Sequence, residues 1–326
     1  MSENRKRAPK ALKITLTAIV LLLIVCAAVW FVPVLRLYPV RWLFEDKERN
    51  FVSQNIDTSD LVISRDIAYI DDGDRGHLLD VYRPAGAADD IPVMVNIHGG
   101  GLVASYKEVN MKYCYEWARR GYAVVNISYR RLPETTLWHQ IDDCMAAIRY
   151  IDAHRGELSL DLDECYLSGD SAGALLSLFT ASINSSDKLR EDFGIEGSSI
   201  RFRALGLISI MLETDRRDFM DFITSLISDE SDKDTAYRPY LFDPSALVYE
   251  AQLPPVFLVT GDGDFIQSET IKLDGILTGV QLKHELKNYP KGTAHTLDHI
   301  FAVKHPEWEE SQEVISLMSG FFESAE

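Results

Sequence analysis

Apolar and polar residues alternate along most of the chain in short blocks, and these blocks predict strands and helices in turn. Blocks rich in β-branched and aromatic residues predict strands at 61–70, 77–83, 93–97, 122–128, 164–167, 204–210, 256–260 and 280–288. Apolar residues at helical spacing predict helices at 105–120, 137–151, 172–183, 265–278 and 307–323. This alternation predicts an α/β fold with a mostly parallel central sheet and helices on both faces.

Two stretches depart from this alternation. The turn-rich residues 71–76 lie between the first two predicted strands and predict a hairpin, so one edge of the sheet should be antiparallel. Residues 211–250 do not have the pattern of a further strand–helix unit, and we interpret them as a cap insertion over the sheet. The acidic run Asp229–Asp234 within this insertion is predicted to be a solvent-exposed face.

The N-terminal region has a third pattern, in which a basic tail precedes an uncharged apolar run. Residues 1–13 are rich in Lys and Arg, and Ile14–Val32 contains no charged residue. The apolar run is close to the ~20 residues that a helix needs to cross a bilayer. We therefore predict a cytoplasmic tail at 1–13, a transmembrane signal-anchor helix at 14–33, a juxtamembrane or cap segment at 34–60, and the α/β domain at 61–326.

Basic residues before a membrane span favour a cytoplasmic N-terminus, so the α/β domain is predicted to lie outside the cytoplasm on a single-pass membrane anchor. A cleaved signal peptide followed by secretion is the alternative, because small residues near Val25–Ala28 resemble a cleavage site.

Composition excludes several other classes of protein. The net charge of −17 argues against a nucleic-acid partner, because phosphate binding requires a basic surface. The four cysteines form no C-x-x-C pair, so zinc-ribbon and thioredoxin-like sites have no support. No metal or organic cofactor is predicted, and the sequence leaves the oligomeric state open.

The strongest chemical signal is a G-x-S-x-G motif, Gly169-Asp170-Ser171-Ala172-Gly173. It lies between a predicted strand and a predicted helix, which is the context of a nucleophile elbow. Gly169 and Gly173 would let the strand and the helix pass close together. The helix N-terminus would then face the site and favour developing negative charge. Ser171 is the candidate nucleophile.

A second motif, His98-Gly99-Gly100-Gly101, directly follows the predicted strand at 93–97. HGGG-type loops supply backbone N–H groups to the oxyanion hole of lipases and esterases. The expected donors are the N–H groups of Gly100, Gly101 and Ala172. His98 is interpreted as a structural hydrogen-bonding residue rather than a base.

The two motifs, in this order and at this separation, resemble the fold-3 branch of α/β-hydrolases, the hormone-sensitive-lipase-like carboxylesterases. Three further segments are similar to that family, namely Leu79–Pro84 before the oxyanion loop, Tyr129–Glu134, and Asp142–Cys144 in the next helix. The resemblance implies an α/β-hydrolase fold and a serine carboxylesterase acting on short-chain esters.

Chain order in this fold places the acid and then the base after the serine. Asp262 and Asp264 both follow the predicted strand at 256–260, and His295 and His299 both follow the strand at 280–288. The family carries its acid in a D-x-L triplet and its base in an H-x-F triplet. The resemblance therefore implies Asp264, in Asp264-Phe265-Ile266, and His299, in His299-Ile300-Phe301.

The resulting hypothesis is a serine hydrolase that binds a small-molecule ester and forms an acyl-enzyme. Deacetylase, amidase or lactonase activity on another acyl substrate, such as an acetylated glycan, is the first alternative. A catalytically inactive binding module is the second, because a fold does not by itself specify a function.

Overall fold

A computed structural model describes residues 10–32, 35, 37–39, 41–42, 56–214, 221–224 and 226–325. Its strands are β1 Leu61–Ala68, β2 Leu78–Pro84, β3 Val93–Ile97, β4 Ala123–Ile127, β5 Cys165–Asp170, β6 Phe202–Ile208, β7 Val256–Gly261 and β8 His284–Tyr289. They form an eight-stranded sheet in the order β1-β2-β4-β3-β5-β6-β7-β8. Strand β2 is antiparallel to both of its neighbours, and the other described pairings are parallel.

The helices connect these strands and cover the sheet. They are α1 Lys10–Phe31, α2 Met111–Arg119, α3 Leu137–Ala153, α4 Ala172–Ser185, α5 Asp187–Phe193, α6 Asp221–Thr224, α7 Arg238–Phe242, α8 Leu247–Glu250, α9 Gln267–Gly279, α10 Phe301–Lys304 and α11 Glu309–Glu323. The predicted α/β-hydrolase architecture, with a mostly parallel sheet and helices on both faces, is confirmed.

The buried side chains form two apolar layers because successive residues of a strand point to opposite faces of the sheet. In β3, Val93, Val95 and Ile97 belong to one layer with α3 and α4, whereas Met94 belongs to the other layer with α2 and α11. A strand that is buried on both faces needs a continuous apolar run, which is the pattern that identified β3 in the sequence.

Several predicted boundaries differ from the observed ones for local backbone reasons. The helix predicted from residue 105 begins at Met111, because Ser105 has a left-handed φ of 68° and residues Lys107–Asn110 form a 3-10 helix instead. The strand predicted from residue 280 begins at His284, after Gln281 with a φ of 59°. Helix α5 was not predicted. Ser186 caps its first turn and Gly194 ends it in a left-handed conformation.

The predicted cap insertion lies between β6 and β7 and carries α6, α7 and α8. Residues 215–220 and 225 of this insertion lie outside the described residues. Its acidic run is not wholly solvent-exposed as predicted. Asp232 is buried and accepts hydrogen bonds from the Tyr237 hydroxyl at 2.6 Å and the Asp229 amide at 2.9 Å, because this carboxylate closes a local turn.

Within the described part of the chain, no helix combines the length and the apolar character that crossing a membrane requires. Helix α1 occupies much of the region in which a span was predicted. The transmembrane helix predicted at 14–33, and the membrane contact predicted through it, are therefore not supported. Residues 1–9 of the predicted basic tail and 43–55 of the predicted juxtamembrane segment lie outside the described residues.

Helix α4 begins in very close contact with the ends of β3 and β5. A Cβ atom on Gly173 would lie 2.1 Å from the Ile97 carbonyl oxygen, and one on Gly169 would lie 2.4 Å from the Gly173 carbonyl oxygen. These distances are far below van der Waals contact and involve backbone atoms, so the two glycines are required by packing.

We expect Gly173→Ala to destabilise the protein by at least about 1–3 kcal/mol, because the added methyl group must separate α4 from β3. The matched control is Gly275→Ala on the exposed face of α9, where an added Cβ meets no atom within 4 Å. This control should raise stability by about 0.5–1 kcal/mol, because Ala is the better helix former. Thermal and urea unfolding of both variants measures the difference. A Gly173→Ala protein as stable as the wild type would contradict the packing argument.

Candidate active site

Ser171 occupies a strained turn between the end of β5 and the start of α4. Its φ of 52° and ψ of −119° are unfavourable for a residue with a side chain. Two backbone hydrogen bonds hold this turn, because the Ser171 amide donates to the Ile208 carbonyl at 2.9 Å and the Ser171 carbonyl accepts from the Met211 amide at 3.2 Å. The side chain is thereby presented at the carboxyl edge of the sheet, where the predicted nucleophile elbow was expected.

The HGGG loop lies beside this turn because β3 and β5 are parallel neighbours in which Ile97 is paired with Gly169. The Gly99 amide donates to the Asp170 carboxylate at 3.1 Å, which ties the loop directly to the elbow. Gly100 and Gly101 have φ values of 133° and 60°, and the Gly100 carbonyl accepts from the Ala104 amide at 3.0 Å. An added Cβ on Gly100 would lie 2.2 Å from the Ala104 carbonyl oxygen, so the turn accommodates only glycine there.

The predicted oxyanion donors are available for a ligand. Among the described residues, none accepts a hydrogen bond from the amide of Gly100 or Gly101. Ala172 is the first residue of α4, so its amide has no acceptor within the helix. The positive end of the α4 dipole also lies at this point.

Ser171, His299 and Asp264 form a continuous hydrogen-bonded chain. His299 Nε2 lies 2.9 Å from Ser171 Oγ, and His299 Nδ1 lies 2.8 Å from Asp264 Oδ1. Asp264 is buried, whereas the side chain of His299 is 18% exposed. A serine nucleophile is activated by this arrangement, in which a carboxylate orients an imidazole against the serine hydroxyl.

Asp264 is held as a carboxylate by its surroundings. Burial opposes its ionisation, but hydrogen bonds from His299, Ser209 and the Ile266 amide, together with the electrostatic interaction with the His299 ring, lower the pKa of Asp264 overall. The Thr260 hydroxyl also donates to Asp264 Oδ2 at 3.1 Å. An ionised Asp264 can fix the imidazole tautomer and stabilise an imidazolium.

Ser209 is a site residue that the sequence reasoning missed. Its hydroxyl is a hydrogen-bond partner of Asp264, and it also accepts from the Ile300 amide at 3.2 Å. Ser209 and Ile300 both have left-handed backbones, with φ values of 50° and 53°, and the latter directly follows His299. No local motif marks Ser209. Its position immediately after β6, at the same edge of the sheet as the elbow, is the signal that could have identified it.

The alternative acid and base have other partners. His295 Nδ1 lies 2.8 Å from Glu310 Oε2, and its ring stacks on Trp308 at a centroid distance of 4.1 Å. Asp262 forms an ion pair with Lys291 at 3.3 Å. The structure therefore brings Asp264 and His299 to Ser171 and leaves Asp262 and His295 in separate contacts.

His98 is buried behind the oxyanion loop. Its Nδ1 lies 2.6 Å from the Gly99 carbonyl oxygen, and its ring stacks on Tyr129 at 4.4 Å. Burial lowers the pKa of His98 to about 4, so the ring is neutral near pH 7. These contacts fit the structural role expected from the sequence.

Asp170, which occupies the first x position of the G-x-S-x-G motif, is a second buried carboxyl group. One of its oxygens accepts from the Gly99 amide and from Asn110 Nδ2, the latter at 2.6 Å. No described residue donates to its other oxygen, Oδ2. Burial raises the pKa of Asp170 to about 6 despite these hydrogen bonds.

No group of three or more His, Cys, Asp or Glu side chains within the described ranges could hold a metal ion.

Comparison with known proteins gives the same fold and a consistent chemistry. The BD-FAE family model matches residues 79–270, which is more than half of the chain. The carboxylesterase NlhH of Mycobacterium tuberculosis is 28% identical over 230 residues, covering 64% of this chain and 68% of that protein.

Esterase B from Lactobacillus rhamnosis (HN001) has a similar solved structure. It superposes with a TM-score of 0.83 at 27% identity, over 90% of this chain and 95% of that chain. The same esterase has also been solved with a C4-C4 tributyrin phosphonate inhibitor.

We expect His299→Gln to lower kcat for a simple ester by several orders of magnitude, because Ser171 would lose the group that accepts its proton. The matched control is His295→Gln, which changes a histidine four residues earlier and should leave kcat within about twofold. Steady-state kinetics on p-nitrophenyl butyrate compares the two variants. Equal losses in both, or a larger loss in His295→Gln, would contradict the assignment of the base.

The raised pKa of Asp170 predicts that the contribution of this group to stability falls as pH rises from about 4 to about 6. Over that range the folded protein binds a proton that the unfolded chain has released, so ionisation favours unfolding. Asp170→Asn should abolish this fall and raise the melting temperature at pH 8, because an amide keeps an oxygen acceptor without a buried charge. Melting curves from pH 4 to 8, with the exposed Asp90→Asn as control, measure the effect. A melting temperature below that of the wild type at pH 8 would contradict it.

Proposed function

The chain belongs to the BD-FAE family, of the α/β-hydrolase fold-3 type, and from that membership we propose that it is a serine carboxylesterase. The observation that carries the proposal is the 2.9 Å contact between His299 Nε2 and Ser171 Oγ, backed by the 2.8 Å contact between His299 Nδ1 and Asp264 Oδ1. The sequence similarity to the carboxylesterase NlhH and the structural similarity to esterase B support ester hydrolysis as the reaction.

The proposed reaction begins when His299 accepts the proton of Ser171 as the hydroxyl oxygen attacks the ester carbonyl carbon. The resulting oxyanion accepts hydrogen bonds from the amides of Gly100, Gly101 and Ala172. His299 then donates its proton to the departing alcohol, which leaves an acyl group on Ser171. Water, activated by the same imidazole, hydrolyses the acyl-enzyme and restores the serine.

Short-chain esters are the proposed substrates. The tributyrin phosphonate on the related esterase B carries butyrate-length acyl groups, which supports short acyl chains by analogy. The cap insertion begins next to Ser171, because the Met211 amide donates to the Ser171 carbonyl at 3.2 Å, and the Leu137 amide at the start of α3 donates to the Ile227 carbonyl of this insertion at 3.0 Å. The predicted location outside the cytoplasm stays a prediction of the sequence.

We expect Ser171→Ala to abolish turnover of p-nitrophenyl acetate and butyrate, with a loss on the order of 10⁶-fold in kcat. The same substitution should abolish labelling by a fluorophosphonate probe, because the nucleophile itself is removed. Ser182→Ala is the matched control, since Ser182 is also buried and lies on α4, and its hydroxyl has no hydrogen-bond partner among the described residues.

The wild-type chain should hydrolyse acetate and butyrate esters faster than long-chain esters, and this is measured with a series of acyl lengths. Turnover of acetylated glycans, amides or lactones in the absence of simple ester turnover would favour the alternative acyl substrates. Failure of the wild-type chain to react with the fluorophosphonate would favour an inactive binding module.

A further inference from the structure

The oxyanion loop is held from outside by an arginine near the N-terminus. Arg41 is a buried residue, 8% exposed, whose guanidinium reaches residues more than 60 positions further along the chain. Its Nε donates to the Val103 carbonyl at 2.6 Å, and Nη2 donates to the Leu132 carbonyl. The guanidinium also forms a two-pronged ion pair with Glu134, in which Nη1 lies 2.6 Å from Oε1.

One of these acceptors, Val103, lies in the turn that shapes the candidate oxyanion donors, and a second, Leu132, contacts this turn. Val103 directly follows Leu102 and is bonded back to the loop, because its amide donates to the Gly100 carbonyl at 3.2 Å. The Leu132 amide donates to the Leu102 carbonyl at 2.9 Å, so Leu132 is itself part of the support for the loop. Arg41 therefore binds both segments of the Leu132–Leu102 contact, through the carbonyls of Val103 and Leu132, and restricts movement of the loop.

The segment that carries Arg41 is oriented for this purpose. Residues 37–39 and 41–42 are helical, and Leu37 and Arg41 are buried whereas Tyr38 and Trp42 are exposed. The side chains of Leu37 and Arg41 therefore face the interior, and those of Tyr38 and Trp42 face solvent. Leu37 joins the apolar layer that also contains Leu102, Val103 and Leu132.

Arginine is specifically suited to this position. Its planar group presents several N–H donors in a fixed fork, which suits two carbonyls and a carboxylate at once. A lysine carries a single compact charge and cannot reproduce this arrangement. The hydrogen bond from Arg41 is also the largest cause of the lowered pKa of Glu134, so the carboxylate remains ionised as its partner.

We propose that Arg41 is a positioning residue for ester hydrolysis, which fixes the oxyanion loop through Val103, Leu132 and Glu134. The inference rests on the proposed function and extends it to a segment that lies before the matched family region. Arg41 then supports the active site from outside it. Its loss should affect the transition state more than the binding of the ester, because oxyanion contacts form fully only as charge develops.

The test compares Arg41→Met, Arg41→Ala, Arg41→Lys and Glu134→Gln in the whole chain of residues 1–326. Removing one oxyanion donor typically costs ~10²–10³-fold in kcat, so a displaced loop should cost about 10–100-fold. We expect Arg41→Met to lower kcat to this extent with KM within about threefold, and Arg41→Lys and Glu134→Gln to show smaller losses of the same kind. The rate of fluorophosphonate labelling should fall in parallel. Free guanidinium, below unfolding concentrations, should partly restore the kcat of Arg41→Ala.

The matched control is Arg83→Met. Arg83 also donates to two carbonyls, those of Ser159 and Ala88, and pairs with Asp89 at 3.4 Å. It lies on β2 next to Tyr82, which is paired with Val124 near the start of β4, at the opposite edge of the sheet from Ser171. Arg83→Met should lose a comparable number of hydrogen bonds and a comparable amount of stability. Its kcat should remain that of the wild type.

Active-site titration counts the reactive serine sites in each sample, so that kcat is calculated per folded enzyme molecule. A variant that is partly unfolded can therefore still be compared with the wild type. A kcat per titrated site within twofold of the wild type in Arg41→Met would overturn the inference, as would a change confined to KM or an equal loss in Arg83→Met. The proposed function is tested separately by measuring ester turnover of the wild-type chain, which does not depend on the comparison among these variants.

Discussion

The close approach of helix α4 to the ends of β3 and β5 is the constraint on which the rest of the site depends. Gly169 and Gly173 leave no room for a methyl group between these elements, so the chain must reverse direction within one residue. That residue is Ser171, and its φ of 52° follows from the tight turn. The same contact aligns the N-terminus of α4 with the glycine loop after β3. The serine hydroxyl, the positive end of the α4 dipole and the loop amides therefore converge at one edge of the sheet.

Two buried carboxyl groups on either side of Ser171 show how the surroundings set different chemistry for the same group. Asp264 has a lowered pKa because several donors and the adjacent imidazole outweigh the cost of burial. Asp170 has fewer donors and a pKa raised to about 6. The ionised carboxylate of Asp264 is suited to orient His299. The carboxyl group of Asp170 is suited to tie the glycine loop to the elbow, and it destabilises the fold when it ionises.

Local sequence predicted those features whose physical cause is local. Strands buried on both faces were found because they require continuous apolar runs, and the elbow was found because its glycines are adjacent in sequence. Asp264 and His299 were separated from Asp262 and His295 by family resemblance. The structure places the first pair at Ser171 and gives the second pair other partners. Ser209 and Arg41 could not be found in this way, since each acts through backbone groups that are distant in sequence. The late start of α2 was missed because a left-handed Ser105 leaves no signature in the hydrophobic pattern.

Backbone strain is concentrated at the same place. Five of the eight non-glycine residues with positive φ in the described part of the chain lie in loops around Ser171, namely Leu102, Ser105, Ser171, Ser209 and Ile300. Such conformations cost on the order of 1–3 kcal/mol each and persist only where neighbouring contacts over-determine them. The hydrogen bonds from Arg41 to Val103, from Ile300 to Ser209 and from Met211 to Ser171 are contacts of this kind. They hold separate loops against relaxation, so the donors, the base and the nucleophile keep their relative positions before any ester binds, which is what pre-organised stabilisation of an oxyanion requires.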